Sequence, residues 1–219
     1  MAVYDLEEQE QIDELKTWWK QYGNLVTGAL TIAAVLAVGW QGWNWWQRDQ
    51  AAQAAAIYAG LEQAAGAHDS KKVRDAAGEI IDKYSGSAYA GLAALLSAKM
   101  QFEEGDAKNA KLQLAWAADH GKDAELRDLA RLRLAQVLLD EKAYDEALAQ
   151  LAAEPVAPMA ARYAEVKGDV YAAQGKGVEA KAAYAAAIAK LEADGKSDQR
   201  RAAYRDLLQI KLESQGAKP

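Results

Sequence analysis

The sequence predicts an all-α chain: one N-terminal transmembrane helix, then a solenoid of helical hairpins closed by a C-terminal capping helix. Three observations predict it. No formal charge falls between Lys20 and Arg48. Alanine is abundant, only three prolines occur in 219 residues, and β-branched runs are few, a balance that favours helix over strand. Behind the apolar stretch, small and large apolar residues recur with a period of 33 residues.

Residues 1–22 form an acidic tail, in which Asp5, Glu7, Glu8, Glu10, Asp13 and Glu14 face only Lys16 and Lys20. Residues 23–46 follow as the span. From Leu25 the chain reads LVTGALTIAAVLAVGWQGWNWW. As a helix this covers roughly 33 Å, enough for a hydrocarbon core of ~30 Å, where a lone segment must be helical to satisfy its own backbone. Trp18, Trp19 and Tyr22 precede it, and Trp40, Trp43, Trp45 and Trp46 close it. Indole and phenol rings favour the headgroup layer, so these seven residues read as anchors at the two faces of a lipid bilayer. A buried core helix has no reason to gather its aromatics at both ends. A cleaved signal would have a basic start, a shorter apolar run and a small-residue cleavage site, whereas this start is acidic. Lys16 and Lys20 against Arg48 favour an N-terminus in the cytoplasm. Ala29, Ala33 and Ala37 make a small-residue row that could pack on another helix or arise from composition alone.

Residues 47–219 are long enough for one compact domain. The net charge of −6 and the lack of a basic stripe argue against nucleic acid as a partner. Without cysteine there are no disulfides, thiolate nucleophiles or zinc–thiolate sites. Residues 51–90 are expected to form a first hairpin, with Ile57, Tyr58 and Leu61 on Ile80, Ile81 and Tyr84. The next unit shows Ala98, Gly105, Ala110, Leu114 and Ala117. Leu134, Ala135, Leu138, Tyr144, Ala147 and Leu151 mark another. The last shows Gly168, Tyr171, Ala180, Tyr184 and Ala187. A small residue on the first helix lets the second approach, and large residues at helical spacing fill the gap. Gly105 and Gly175 stand where a helix must stop and turn. This arrangement resembles the tetratricopeptide repeat (TPR), with Ala164 in place of the first-helix Trp of the consensus. Gln199 to Ser214, with Tyr204, Leu207, Leu208 and Ile210, is the expected cap, because a solenoid unit buries its apolar face only on a neighbour.

In such arrays the first helices line a concave surface. Here that surface offers Leu92, Leu95, Lys99 and Phe102, then Leu129, Leu132, Gln136, Leu139 and Asp140, then Arg162, Glu165 and Asp169. Two readings stand for its six apolar members, Leu92, Leu95, Phe102, Leu129, Leu132 and Leu139. They form a groove for a segment of another protein, or they pack on the cap and neighbouring repeats. The row of Lys, Arg and Asn that would clamp a C-terminal carboxylate is missing. His68 and His120 lie in unrelated polar segments, and no metalloprotease, nucleophile-elbow, P-loop or dinucleotide fingerprint occurs. No catalytic, cofactor or metal site is expected.

The whole architecture resembles the YfgM family, ancillary subunits of the bacterial SecYEG translocon. The resemblance rests on Trp18-Trp19 followed by Tyr22-Gly23-Asn24, on Gly39-Trp40-Gln41-Gly42-Trp43, and on the repeat at Ala164–Ala187. It implies a single-pass inner-membrane protein with a cytoplasmic N-terminus and periplasmic repeats. It implies partners too: the SecYEG translocon, a membrane-anchored periplasmic chaperone of the prolyl-isomerase type, and translocating client proteins. It also implies a possible link between the acidic tail and a cytoplasmic stress response regulator, so a regulatory function stands beside the adaptor reading.

Overall fold

The computed structural model describes residues 4–193 and 199–215, with side chains from Gln11 onward. The side chains of Asp5, Glu7, Glu8 and Glu10 in the acidic tail lie outside the described residues. The elements are α1 (Tyr4–Gly66), α2 (Ser70–Tyr84), α3 (Ala88–Glu103), α4 (Ala107–His120), α5 (Ala124–Asp140), α6 (Tyr144–Gln150), a 3-10 turn (Ala157–Met159), α7 (Ala160–Ala173), α8 (Gly177–Ala193) and α9 (Gln199–Ser214). Two compact units divide the chain, one ending at Asp49 and one starting at Gln50.

In the first unit, none of the side chains from Leu25 to Trp46 is buried. A core helix would bury a stripe of them, so the core-helix alternative falls. α1 is the one helix among the described residues that is long and apolar enough to cross a membrane. Its aromatics gather at two levels, with Trp18 5.8 Å from Tyr22 and Trp43 5.3 Å from Trp46 between ring centroids. The helical rise places these groups roughly 35 Å apart along the axis, the scale of a bilayer core and its interfaces. Gly23 lies beneath the Trp19 indole, where a Cβ would come within 3.1 Å of the ring nitrogen.

The second unit is a stack of four hairpins and a cap. Each hairpin turns on one residue with left-handed backbone: His68 (φ 55°), Gly105 (86°), Lys142 (63°) and Gly175 (76°). The same closure recurs at all four. The amides of Asp69, Asp106, Ala143 and Lys176 donate to the carbonyls of Ala64, Gln101, Leu138 and Tyr171 at 2.8–2.9 Å. This is the Schellman closure of a helix end. The turns are 37, 37 and 33 residues apart, so the period read from the sequence belongs to the last two hairpins only. Adjacent hairpins are also tied near their turns, by Ser70 with Glu104 and by Lys111 with Glu141.

Two main cores follow from this stacking. Leu61, Val73, Ala77, Ile80, Ala90 and Ala93 build the first, with Ile57, Tyr58 and Tyr84 against it. Ile81 instead packs on the second core, which runs from Ala94 through Leu114, Ala135, Leu138 and Ala147 to Val170. Successive residues on a helix point about 100° apart, so Ile80 and Ile81 serve opposite sides of α2. Trp116 packs against both cores and joins them. Gly168 shows why a small residue is needed at its position: a Cβ there would come within 2.5 Å of the Tyr184 ring.

The cap falls where expected, at Gln199–Ser214. Leu208 is fully buried in a small cluster with Ala164 and Ala187, so the alanine in place of the consensus Trp leaves room for it. Tyr204 packs against that cluster. Leu207 and Ile210, expected in the packed face, are instead 45% and 65% exposed. They lie about 100° and 200° round the helix from Leu208.

Lys142 takes the left-handed conformation without glycine's freedom, at a cost of about 1 kcal/mol. Lys142→Gly is therefore expected to raise the melting temperature by about 2–4 °C, while Gly168→Ala should lower stability by about 1–3 kcal/mol through overpacking. Thermal melts followed by circular dichroism check both.

Candidate functional site

The repeat register brings the concave-face candidates into rows. Measured from each left-handed turn, Leu92, Leu129 and Arg162 are equivalent, as are Leu95, Leu132 and Glu165, then Lys99, Gln136 and Asp169. The first two rows carry leucines in two hairpins and charged side chains in the third, and the last row is polar throughout. The structure accounts for the difference, because α9 takes up the charged set.

Glu165 is buried. Tyr204 donates its hydroxyl to Oε2 at 2.6 Å, Lys211 Nζ lies 2.8 Å from Oε1, and Arg162 stands 3.4 Å away. Lys211 also reaches both oxygens of Asp169 at 2.8 and 2.9 Å, and Tyr184 donates to Asp169 at 2.8 Å. The Arg162 guanidinium lies 4.4 Å from the Tyr204 ring centroid. Burial works to raise the Glu165 pKa, but the hydrogen bonds from Lys211 and Tyr204 and the charges of Lys211 and Arg162 outweigh it and hold the carboxyl below its usual value. For Lys211, burial is likewise outweighed by Asp169 and Glu165, and its pKa rises. Burial and the hydrogen bond to Glu165 push the Tyr204 phenol up.

The open part of the concave face is thereby confined to α3 and α5. There a groove of about 540 Å³ has an apolar floor, with Ala98, Phe102, Leu114, Val137 and Leu139. Lys99, Glu103, Arg133, Gln136 and Asp140 rim it, and Asp169 closes the side toward α7. A buried carboxylate on α5 ties that helix to the segment before α7 and to α7 itself. Asp128 accepts from the amide of Val156 at 2.7 Å and from Arg131 at 3.2 Å, and its carbonyl accepts from the Tyr163 hydroxyl of α7 at 3.0 Å.

The six apolar candidates separate on exposure. Leu95 and Leu132 are core residues, 5% and 6% exposed, because α3 and α5 close over them. For these two the packing alternative holds, and neither lines the groove. Leu92, Leu129 and Leu139 are half-buried, and Phe102 is 42% exposed in the groove itself. Arg133 and Val137 line the groove and were not singled out in the sequence, and Leu114, read there as a repeat position, lies in its floor. Arg133 follows Leu132 directly and hides beside the leucine stripe, about 100° round the helix. His68 forms a turn, and His120 ends α4, its Nδ1 3.2 Å from the Trp116 carbonyl and its ring stacked on that indole.

Comparison with known proteins bears on the same features. A family model described as a tetratricopeptide repeat-like domain matches residues 16–217. A protein of Neisseria gonorrhoeae named ancillary SecYEG translocon subunit is 35% identical over 215 residues, covering 98% of this chain and 99% of that relative. The chain belongs to the YfgM family. A second relative with the same name, from Haemophilus influenzae, is 31% identical over 179 residues, 82% of this chain and 87% of its own length. No solved structure matches the chain.

In this YfgM family member the latch between α7 and α9 depends on protonation. Glu165 ionises more readily when folded than when unfolded, so its contribution is present above about pH 4.3 and is lost as pH falls through its lowered value. Lys211 contributes below about pH 10.4 and ceases to as pH rises through its raised value. Hydrogen exchange of the α9 amides should show a plateau between these limits and faster opening outside them, with the acid limb flattened by Glu165→Gln. The division of the leucines is checked by denaturation. Leu132→Ala should cost about 2–4 kcal/mol and Phe102→Ala under about 1 kcal/mol.

Proposed function

We propose that this chain is a non-enzymatic, membrane-anchored adaptor at the SecYEG translocon, which holds apolar segments of translocating proteins in the groove of α3 and α5 and passes them to periplasmic chaperones. The observation that carries this reading is the groove floor at Phe102 and Leu139, open on the concave face of a repeat domain that follows a membrane-length helix. The names of the two relatives supply the translocon as the setting. In this reading the N-terminus is cytoplasmic, in line with Lys16 and Lys20 against Arg48, the repeats are periplasmic, and the receiving partner is a membrane-anchored chaperone of the prolyl-isomerase type.

The energetics suit transient capture. Burying one Leu- or Phe-sized side chain contributes about 1.5–3 kcal/mol, too little for a lasting complex in free solution. Anchoring beside the channel raises the effective concentration and makes so weak a contact useful. Weak contact also lets a segment move on. An adaptor of this kind needs no reacting group, only a surface that tolerates many apolar sequences.

A photocrosslinker at position 102 or 139 in the full-length chain should capture translocating polypeptide, while one at the exposed Leu112 on α4 should not. Phe102→Asp combined with Leu139→Asp should abolish capture without unfolding the domain. Equal capture from position 112, or capture that survives the double substitution, would overturn the groove. A C-terminal tag should be digested by external protease in spheroplasts. Protection of the tag would overturn the orientation.

A further inference from the structure

The charges that α3 and α5 bring to the groove rim are ordered by sign along each helix, a cation before an anion. α3 and α5 are alternate members of an up-and-down array and run the same way. Lys99 lies about one turn before the end of α3 and Arg133 near the middle of α5, and Glu103 and Asp140 are the last residues of those helices. A helix C-terminus carries partial negative charge, so a carboxylate there is unfavourable and a cation favourable. Neither helix has a basic residue in its last turn. Lys99 stands 3.7 Å from Glu103, and Asp169 is held by Lys211. Arg133 and Asp140 have no ion-pair or hydrogen-bond partner among the described residues. Seven residues of helix separate them, about 10.5 Å along α5. The fold therefore keeps one free cation and one free anion at opposite ends of an apolar floor, the anion at a position that weakens the helix it ends.

We propose that the groove selects segments in the polyproline II conformation in which an acidic residue and a basic residue flank two apolar residues, the acidic one set against Arg133 and the basic one against Asp140. A polyproline II segment advances about 3.1 Å per residue with three residues per turn, so residues three apart share a face about 9.3 Å apart and can meet the two charges in either chain direction. This rests on the groove being a polypeptide site, and it adds a preference to that reading.

Three labelled peptides with the same Leu-Phe centre separate the two claims. Their flanking residues are Glu and Lys, Glu and Glu, or Lys and Lys. Binding is measured by fluorescence anisotropy to the full-length chain in nanodiscs. The mixed-charge peptide should bind about two- to fivefold more tightly than either like-charged one at low salt, with the difference shrinking at high salt. Arg133→Glu should shift the preference to the Lys and Lys peptide, and Asp140→Lys to the Glu and Glu peptide, both with an unchanged melting curve. Equal binding of all three peptides, unmoved by either substitution, overturns charge selection and leaves the groove standing. Failure of every peptide to bind overturns both.

Discussion

A carboxylate withdrawn from water is costly, and Glu165 is withdrawn from water on α7. It stays charged only because Tyr204 and Lys211 of α9 lie across it. These contacts tie the position of the cap to α7, because one register of α9 brings a phenol and an ammonium to Glu165 and seats Leu208 with Ala164 and Ala187. Once the cap is fixed, the last hairpin has a neighbour on both sides. The concave face then ends at Asp169, and the groove of α3 and α5 acquires its boundary. Buried ion clusters often add little net stability compared with apolar packing, and specificity is their better attested use. Here the specified quantity is where the array stops.

The same three register positions thus serve two ends. In the hairpin of α7 they are Arg162, Glu165 and Asp169 and hold the cap. In the hairpins of α3 and α5 they are mostly leucines, half of them spent on the core. What stays open is smaller than the full concave face and lies toward the C-terminal ends of the helices, where Phe102 and Leu139 reach the surface. A polypeptide meeting it would touch few side chains, which suits an adaptor that must let go.

Much of this was legible in the sequence, for identifiable reasons. A helix pair must place small residues where its members cross, so Ala135, Ala147, Gly168 and Ala180 marked the hairpins. Glycine at Gly105 and Gly175 announced the turns. His68 and Lys142 make the same turn with side chains that do not advertise it, so the period looked uniform. Pairs of adjacent apolar residues misled: Ile80 with Ile81 and Leu207 with Leu208 each face two ways, and composition alone does not say which member is buried. The buried carboxylates were the least legible part. Asp128 and Glu165 read as ordinary surface acids until their partners, 28 to 46 residues away, are known.

The separation between Glu165 and Lys211 also has a consequence in time. At about 5–20 residues per second, synthesis brings Lys211 roughly 2–9 s after Glu165. During that interval the hairpins up to α6 can assemble on one another, while α7 has a carboxylate it cannot bury and a gap beside Ala164 with nothing to fill it. The α3 and α5 part of the groove is therefore formed before α9 gives the groove its boundary at Asp169. A nascent chain halted short of Lys211 has the groove floor without its boundary, and Glu165 and Asp169 without their ammonium partner distinguish it chemically from the mature protein.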